Sequence, residues 1–270
     1  NLGFKRFLAY RFLFTSGILG ILITAMFLGY GYYNIKHVVA TDYQLTSDKL
    51  DDFKIVEIVD LHMGTSMNVS ELKQHCQQIS AENPDLVVLT GDIFDENTTY
   101  DEMIGASKTL SQINNRLGIY FVYGKQIENI LESDGIVVLD DEAVVLDEIN
   151  IIGRSDASFY GTSDRATTAE LLAQIPADKK DNYTLLLDHQ PLDLNENASL
   201  GIDLQLSGHT HGGQLFPMRF FQTLISDTLV YGRRDIGNFT AITTSGIGGW
   251  RYPIKTGARS EYVVVEIDKT

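Results

Sequence analysis

Beyond residue 53 the chain alternates short apolar runs with amphipathic ones. Residues 54–59 read as a strand ending at Asp60, 69–83 as an amphipathic helix stopped before Pro84, and Leu86–Leu89 as a buried strand running into Thr90-Gly91-Asp92. A helix over 101–114, a strand over 118–123 and a helix over 125–133 follow. The period then changes. Residues 136–139, 143–146 and 149–152 form short strands separated by acidic turns, and 167–174 is helical. Further strands fall at 183–188, 204–207, 239–244 and 262–267. Alternation followed by strand-rich sequence predicts an α/β sandwich with a mixed sheet. No repeat of fixed period and no low-complexity tract interrupts it.

The N-terminal pattern is different. Residues 12–33 carry no charge over 22 positions, and about 20 apolar residues span a bilayer core as a helix. Tyr30, Tyr32 and Tyr33 cluster at one end, as in an interfacial aromatic belt. Lys5, Arg6 and Arg11 precede the run and Lys36 follows it, which favours an inside N-terminus and an outside C-terminal domain. A cleaved signal peptide is the rival, with Val38-Val39-Ala40 as a weak cleavage site. The expected organisation is an anchor over 1–40 with its helix at about 12–33, a polar, acidic linker over 41–53 and one globular domain over 54–270. At 270 residues with 44% apolar content, a sizeable core is available to that domain.

Charge narrows the partners. The net charge is −15, yet the first forty residues hold four basic residues and no acid, so 17 basic and 36 acidic residues leave −19 on the rest. Such a domain is not expected to bind nucleic acid through phosphate neutralisation, and anionic headgroups should repel it unless a metal or a local basic patch intervenes. The one cysteine, Cys76, forms no intrachain disulfide and sits in an apolar-periodic stretch as a core thiol. Oligomeric state is not legible.

Four apolar strands end in residues that ligate metals: Asp60-Leu61-His62, Gly91-Asp92-Ile93-Phe94-Asp95, His189 after Asp188, and Gly208-His209-Thr210-His211-Gly212-Gly213. In open α/β sheets functional groups gather at the carboxyl ends of strands. Asp-x-His and His-x-His at a strand end point both side chains to one side. Imidazole with carboxylate suits Zn, Mn or Fe rather than Ca or Mg alone. Taken singly, Asp-x-His is common, Gly-Asp is often a turn, Asp95 can brace that turn, and His189 can be a satisfied loop histidine. The Gly-His-Thr-His-Gly-Gly block is far more specific. Of the other histidines, His37 follows the anchor and His75 lies in a helix, both structural or solvated.

The order Asp60-x-His62, Gly91-Asp92-x-x-Asp95, His189 and Gly208-His209-x-His211 resembles the calcineurin-like metallophosphoesterase superfamily. Leu-Ser-Gly-His-Thr-His-Gly-Gly-Gln at 206–214 and Thr-Ser-Gly-Ile-Gly at 244–248 are similar to its membrane-associated bacterial branch. That branch holds the YkuE/YaeI-like phosphodiesterases and enzymes related to UDP-diacylglucosamine pyrophosphohydrolase. The resemblance covers roughly residues 54–267 and implies a four-layer αββα sandwich with mixed β-sheets. It implies two divalent metal ions, Mn, Zn or Fe, one held by Asp60, His62, Asp92 and His211 and the other by His189 and His209 with Asp92 as the bridge. It implies a phosphodiester or pyrophosphate hydrolase acting through a two-metal-activated water. The anchor adds a placement at the cell membrane, single-pass, with an extracytoplasmic domain, and suggests a phosphoester substrate at the membrane surface such as a phospholipid or nucleotide-linked lipid.

One family motif is missing. After the strand at 120–123 relatives continue Gly-Asn-His-Asp or Gly-Asn-His-Glu, where the Asn completes the second metal site and the His contacts the scissile phosphate. This chain reads Gly124-Lys125-Gln126-Ile127-Glu128-Asn129. Lys125 would repel a cation, and Asn129 falls inside a helix pattern. An excised loop, a natural chain that turns over slowly and a membrane-tethered metal or phosphate-ligand binding protein without turnover all fit. Tyr160, Arg165, Trp250, Arg251 and Tyr252, in irregular segments, either shape a substrate cleft or pack and face solvent.

Overall fold

A computed structural model describes residues 10–122, 128–157 and 165–270. Two six-stranded sheets form its frame. The first contains β1 (Val38–Ser47), β2 (Phe53–Ile58), β3 (Leu86–Leu89), β4 (Ile119–Val122), β5 (Val137–Leu139) and the C-terminal β12 (Ser260–Lys269), in the order β1-β12-β2-β3-β4-β5. The second contains β6 (Glu142–Val145), β7 (Ile149–Arg154), β8 (Tyr183–Asp188), β9 (Leu204–Ser207), β10 (Gly232–Ile236) and β11 (Phe239–Thr243), in the order β10-β11-β9-β8-β7-β6. β2 through β5 run parallel, as do β7, β8, β9 and β11. Antiparallel β12–β2, β6–β7 and β10–β11 pairs make both sheets mixed.

Period-two alternation sorts the side chains into layers. Phe53, Ile55, Leu86, Val88, Tyr120 and Val122 of the first sheet meet Ile149, Ile151, Leu185, Leu187, Leu204 and Leu206 of the second. The alternate positions Val56, Ile58, Val87, Leu89, Ile119 and Phe121 pack on helices α2 (Val69–Ala81), α3 (Tyr100–Leu110) and α4 (Glu128–Ser133). On the far side Ile152, Leu186 and Ala241 pack with Leu171 of α5 (Thr168–Ala173) and Leu194 of α6 (Leu194–Ser199). Helix, sheet, sheet, helix is the four-layer order the resemblance implies. α2, α3 and α5 each start on a reciprocal cap, from Asn68, Thr99 and Thr167 to the glutamate three residues on.

Two N-terminal expectations need correction. The apolar helix is not continuous over 12–33. A helical turn at residues 10–15 gives way at Ser16-Gly17, with Gly17 left-handed at φ 73°, and α1 then runs Ile18–Lys36, long and apolar enough to cross a membrane. The expected linker is mostly strand, because β1 pairs in parallel with β12 from Val38–Ser260 to Ser47–Lys269. Its polar composition belongs to a sheet edge, where alternate side chains meet solvent while Leu45 and Ser47 turn inward. Only His37 separates α1 from β1, so the helix joins the sheet without a flexible spacer. The last turns of α1 dock directly: Gly31, Asn34 and Ile35 are buried, and Asn34 Nδ2 donates to the carbonyls of Lys255 (2.7 Å) and Ala258 (2.6 Å).

Candidate metal centre

The chain leaves β2, β3, β8 and β9 at one end of the facing sheets, and the six candidate ligands lie there. Asp60 N–H donates to Gly91 O and His62 N–H to Asp92 O, pairing the two loops of the first sheet beyond its strands. Gly208 N–H donates to His189 O, doing the same for the second. Across the sheets, Asp60 Oδ2 accepts from His209 N–H at 3.2 Å. Five of the six residues, Asp60, His62, Asp92, His209 and His211, have φ between 46° and 68°. The left-handed region is uncommon for side-chain-bearing residues and costs of order 1–3 kcal/mol each. Convergence therefore comes from a backbone turned left-handed past β2, β3 and β9, with His189 after β8 the exception, and not from strand alternation.

The side chains form two adjoining sets. Asp60, His62 and His211 each offer a ligand atom within 4.8 Å of the others, and so do Asp92, His189 and His209. Within the first set His62 Nε2 and His211 Nε2 stand 3.2 Å apart, and His211 Nδ1 lies 4.0 Å from Asp60 Oδ2. Within the second, His189 Nε2 is 3.3 Å from His209 Nδ1. Asp92 Oδ2 belongs to both neighbourhoods, 3.4 Å from His189 Nε2 and 3.7 Å from His62 Nε2.

Outer groups fix the rings. Asp95 Oδ1 lies 2.7 Å from His62 Nδ1, so Asp95 orients a candidate ligand instead of merely bracing its turn. His189 Nδ1 donates to the Thr90 carbonyl at 2.8 Å. With both Nδ1 atoms engaged, both Nε2 atoms face the cluster. Gly91, at φ 109°, makes room: a Cβ there would stand 2.4 Å from His189 Nδ1.

The buried charges of the cluster shift one another strongly. Burial pushes Asp60 up to about 6. It also pushes His211 well below the usual imidazole range, with the neighbouring His62 adding to the effect. Burial opposes the shift at His189, but the Asp92 carboxylate overrides it and raises the imidazole to about 10. Asp92 is correspondingly held low by His189, against its own burial. Among the described residues, Asp60 Oδ1 and His211 Nδ1 are buried with no hydrogen-bond partner, which is costly unless something charged completes them. An all-nitrogen-and-oxygen donor set with two orphaned atoms fits divalent Zn, Mn or Fe.

His37 stacks on Tyr33 and His75 bonds Gln78 on α2; neither joins the two sets. Cys76 is buried and its thiol is pushed up to about 12 by burial, as a core thiol should be. Arg165 packs inward, where it and Arg154 reach Asp188 at 3.2 Å. Trp250 and Tyr252 are exposed, with Arg251 over the Trp250 ring. Lys125 and Tyr160 lie outside the described residues, as does the rest of 123–127 where the family motif breaks. Asn129 is exposed on α4.

Three features were not singled out in the sequence. Asp188, buried beside His189 and pushed up to about 6 by burial against Arg165 and Arg154, was readable only as the last strand residue. Lys255, fully buried, donates from Nζ to Ser245 O (2.7 Å) and Gly246 O (2.8 Å), and Gly246 in turn packs on Asp60. It lies in an irregular segment with no periodicity to flag it. Glu57 and Glu261 are buried acids within strands, bonded by Thr90 and Thr244.

No family model matches the chain. Whole-chain comparison does find relatives. A metallophosphoesterase of Campylobacter jejuni is 29% identical over 92% of this chain and 69% of its own length. The metallophosphoesterase YkuE of Bacillus subtilis is 26% identical over 95% of this chain and 97% of its own. A transmembrane protein with metallophosphoesterase domain from Danio rerio is 26% identical over 92% and 62% respectively. These relatives are all metallophosphoesterases, and their likeness agrees with the resemblance that the ordered ligand set carries to the calcineurin-like metallophosphoesterase superfamily.

Proposed function

We propose that the chain is a metal-dependent phosphoesterase that hydrolyses a phosphodiester or pyrophosphate at a membrane surface, its catalytic domain outside the cytoplasm. The observation that carries this is the pair of donor sets meeting at Asp92 Oδ2. Asp60, His62, Asp92 and His211 would hold one divalent ion, and Asp92, His189 and His209 the other. Such a pair supplies charge neutralisation for phosphoryl oxygens and activation of a water. The chain's own residues supply position: Asp95 and the Thr90 carbonyl hold His62 and His189 with Nε2 inward, and Lys255 pins the 245–246 turn beneath Asp60. The span of α1, continuous with the first sheet, supports action at a bilayer.

The full chain in detergent is expected to hydrolyse bis(4-nitrophenyl) phosphate, to lose the activity on chelation and to regain it with Mn or Zn. Undetectable hydrolysis with each of these metals present would contradict an esterase. Asp95→Asn is expected to keep the fold and weaken metal affinity by about 10–100-fold, because it removes the carboxylate that orients His62. A metal titration of activity measures this, and unchanged affinity would mean that Asp95 only braces its turn.

A metal- and phosphate-binding protein without turnover is the alternative, favoured by the loss of the Asn-His pair after Gly124. Full metal occupancy together with no hydrolysis of any phosphoester would establish it. Losing a positioned acid alone costs about 10²–10⁴-fold, so slow turnover remains compatible with an enzyme.

A further inference from the structure

The helix α7 (Met218–Ile225) is amphipathic the wrong way round for a water-soluble surface. Met218, Phe220, Phe221, Leu224 and Ile225 share one face, and at 49–84% exposure that face points outward. The polar face turns toward the domain: Arg219 lies over the Tyr231 ring at 4.5 Å, and Gln222 Oε1 is buried. A helix on a protein in water buries its apolar stripe. Exposed Leu215, Phe216, Trp250 and Tyr252 extend the same surface, since Gln214 Nε2 donates to Trp250 O (3.0 Å) and Ile254 O (3.2 Å). A contiguous apolar surface of this kind marks an interaction site.

Two observations identify the occupant. First, the root of α7 is bonded to the segment on which α1 docks. Phe216 N–H donates to Thr256 Oγ1 and Thr256 N–H to Gln214 O, while Lys255 N–H donates to Gly31 O. A Cβ on Gly31 would meet Ile254 Cγ2 at 2.4 Å, so the α1 backbone lies against that segment. α7 therefore sits where the apolar helix leaves the domain. Second, residues 209–225 and 245–260 contain no acid in a chain with 36 of them, and they expose Arg219, Arg251 and Arg259. The surface that meets α1 is thus exempt from the acidity that repels anionic headgroups elsewhere.

We infer that α7 and the 250–252 turn are a second membrane contact, lying in the lipid interface beside α1 and holding the loop of His209 and His211 at the depth of lipid phosphates. An interfacial amphipathic helix with aromatic and aliphatic residues on one face and arginine on the other binds in this way. This deepens the proposed function, because it rests on α1 entering the bilayer and it names a lipid headgroup phosphoester as the substrate class.

The test uses the full chain in phosphatidylethanolamine and phosphatidylglycerol bilayers, with an environment-sensitive fluorophore on single introduced thiols at Phe221→Cys, Leu224→Cys, Leu22→Cys and Asp147→Cys. Native Cys76 is buried, so only the introduced thiol reacts. Leu224 is 66% exposed and its replacement leaves the core intact. Spin-labelled lipid is expected to quench positions 221 and 224 as strongly as 22, and to leave 147, at the far end of the second sheet, bright. Quenching at 22 without quenching at 221 and 224 would overturn the inference and leave α1 in the membrane. A blue shift at 224 without lipid quenching would mean that a second copy or another protein covers α7, which also overturns it. No quenching at 22 would sink the membrane placement of both.

Discussion

Asp92→Asn is expected to lower phosphodiester hydrolysis by about three orders of magnitude, the equivalent of about 4 kcal/mol of lost charge stabilisation. The substitution keeps the shape of the side chain and removes its charge. Asp92 Oδ2 faces His189 Nε2 at 3.4 Å and His62 Nε2 at 3.7 Å, so one neutralised carboxylate weakens both donor sets together. The effect should therefore exceed that of Asp95→Asn, and metal content should fall at both sites. Steady-state rates with bis(4-nitrophenyl) phosphate, alongside elemental analysis of the same preparation, measure it. Full activity with one site emptied would show that Asp92 belongs to a single site.

The largest stability loss is expected at Lys255→Met, about 3–5 kcal/mol, as when one partner of a buried charged network is removed. Lys255 is fully buried and pulled down to about 8 by burial, with Asp60 and Glu261 opposing. Methionine fills the stem volume but leaves the carbonyls of Ser245 and Gly246 unpaired and removes the positive charge facing two buried acids. A drop in Tm on the order of 10 °C is expected for a domain of this size, read in a thermal unfolding scan of the chelated chain. A shift within about 0.5 kcal/mol would mean that the lysine is a surface-like residue.

The sequence made the central strands and the ligand set readable for physical reasons. β3, β8 and β9 are buried on both faces, and unbroken apolar runs such as Leu86–Leu89 announce that. The ligands follow those runs directly, so their chain positions were plain. Edges were not legible. β1 reads polar because one of its faces meets solvent, and β10, Gly-Arg-Arg-Asp-Ile, looks like a charged loop until it pairs with β11. α7 escaped notice because its apolar residues do not face a core. Within the site, the joint orientation of Asp60 with His62 and of His209 with His211 was anticipated on a strand-pleat argument, whereas left-handed φ values produce it. Lys255 and Asp188 depend on partners distant in sequence, such as Asp60 and Arg154, and no local pattern encodes such encounters.

Metal content is the most direct measurement of whether these side chains form a dinuclear centre. The full chain, purified without chelator and supplied with Mn or Zn, is expected to carry two ions, with His62→Ala and His189→Ala each retaining fewer. Wild-type protein that binds no metal, or variants that keep both ions, would contradict the assignment of Asp60, His62, Asp92, His189, His209 and His211 as its ligands.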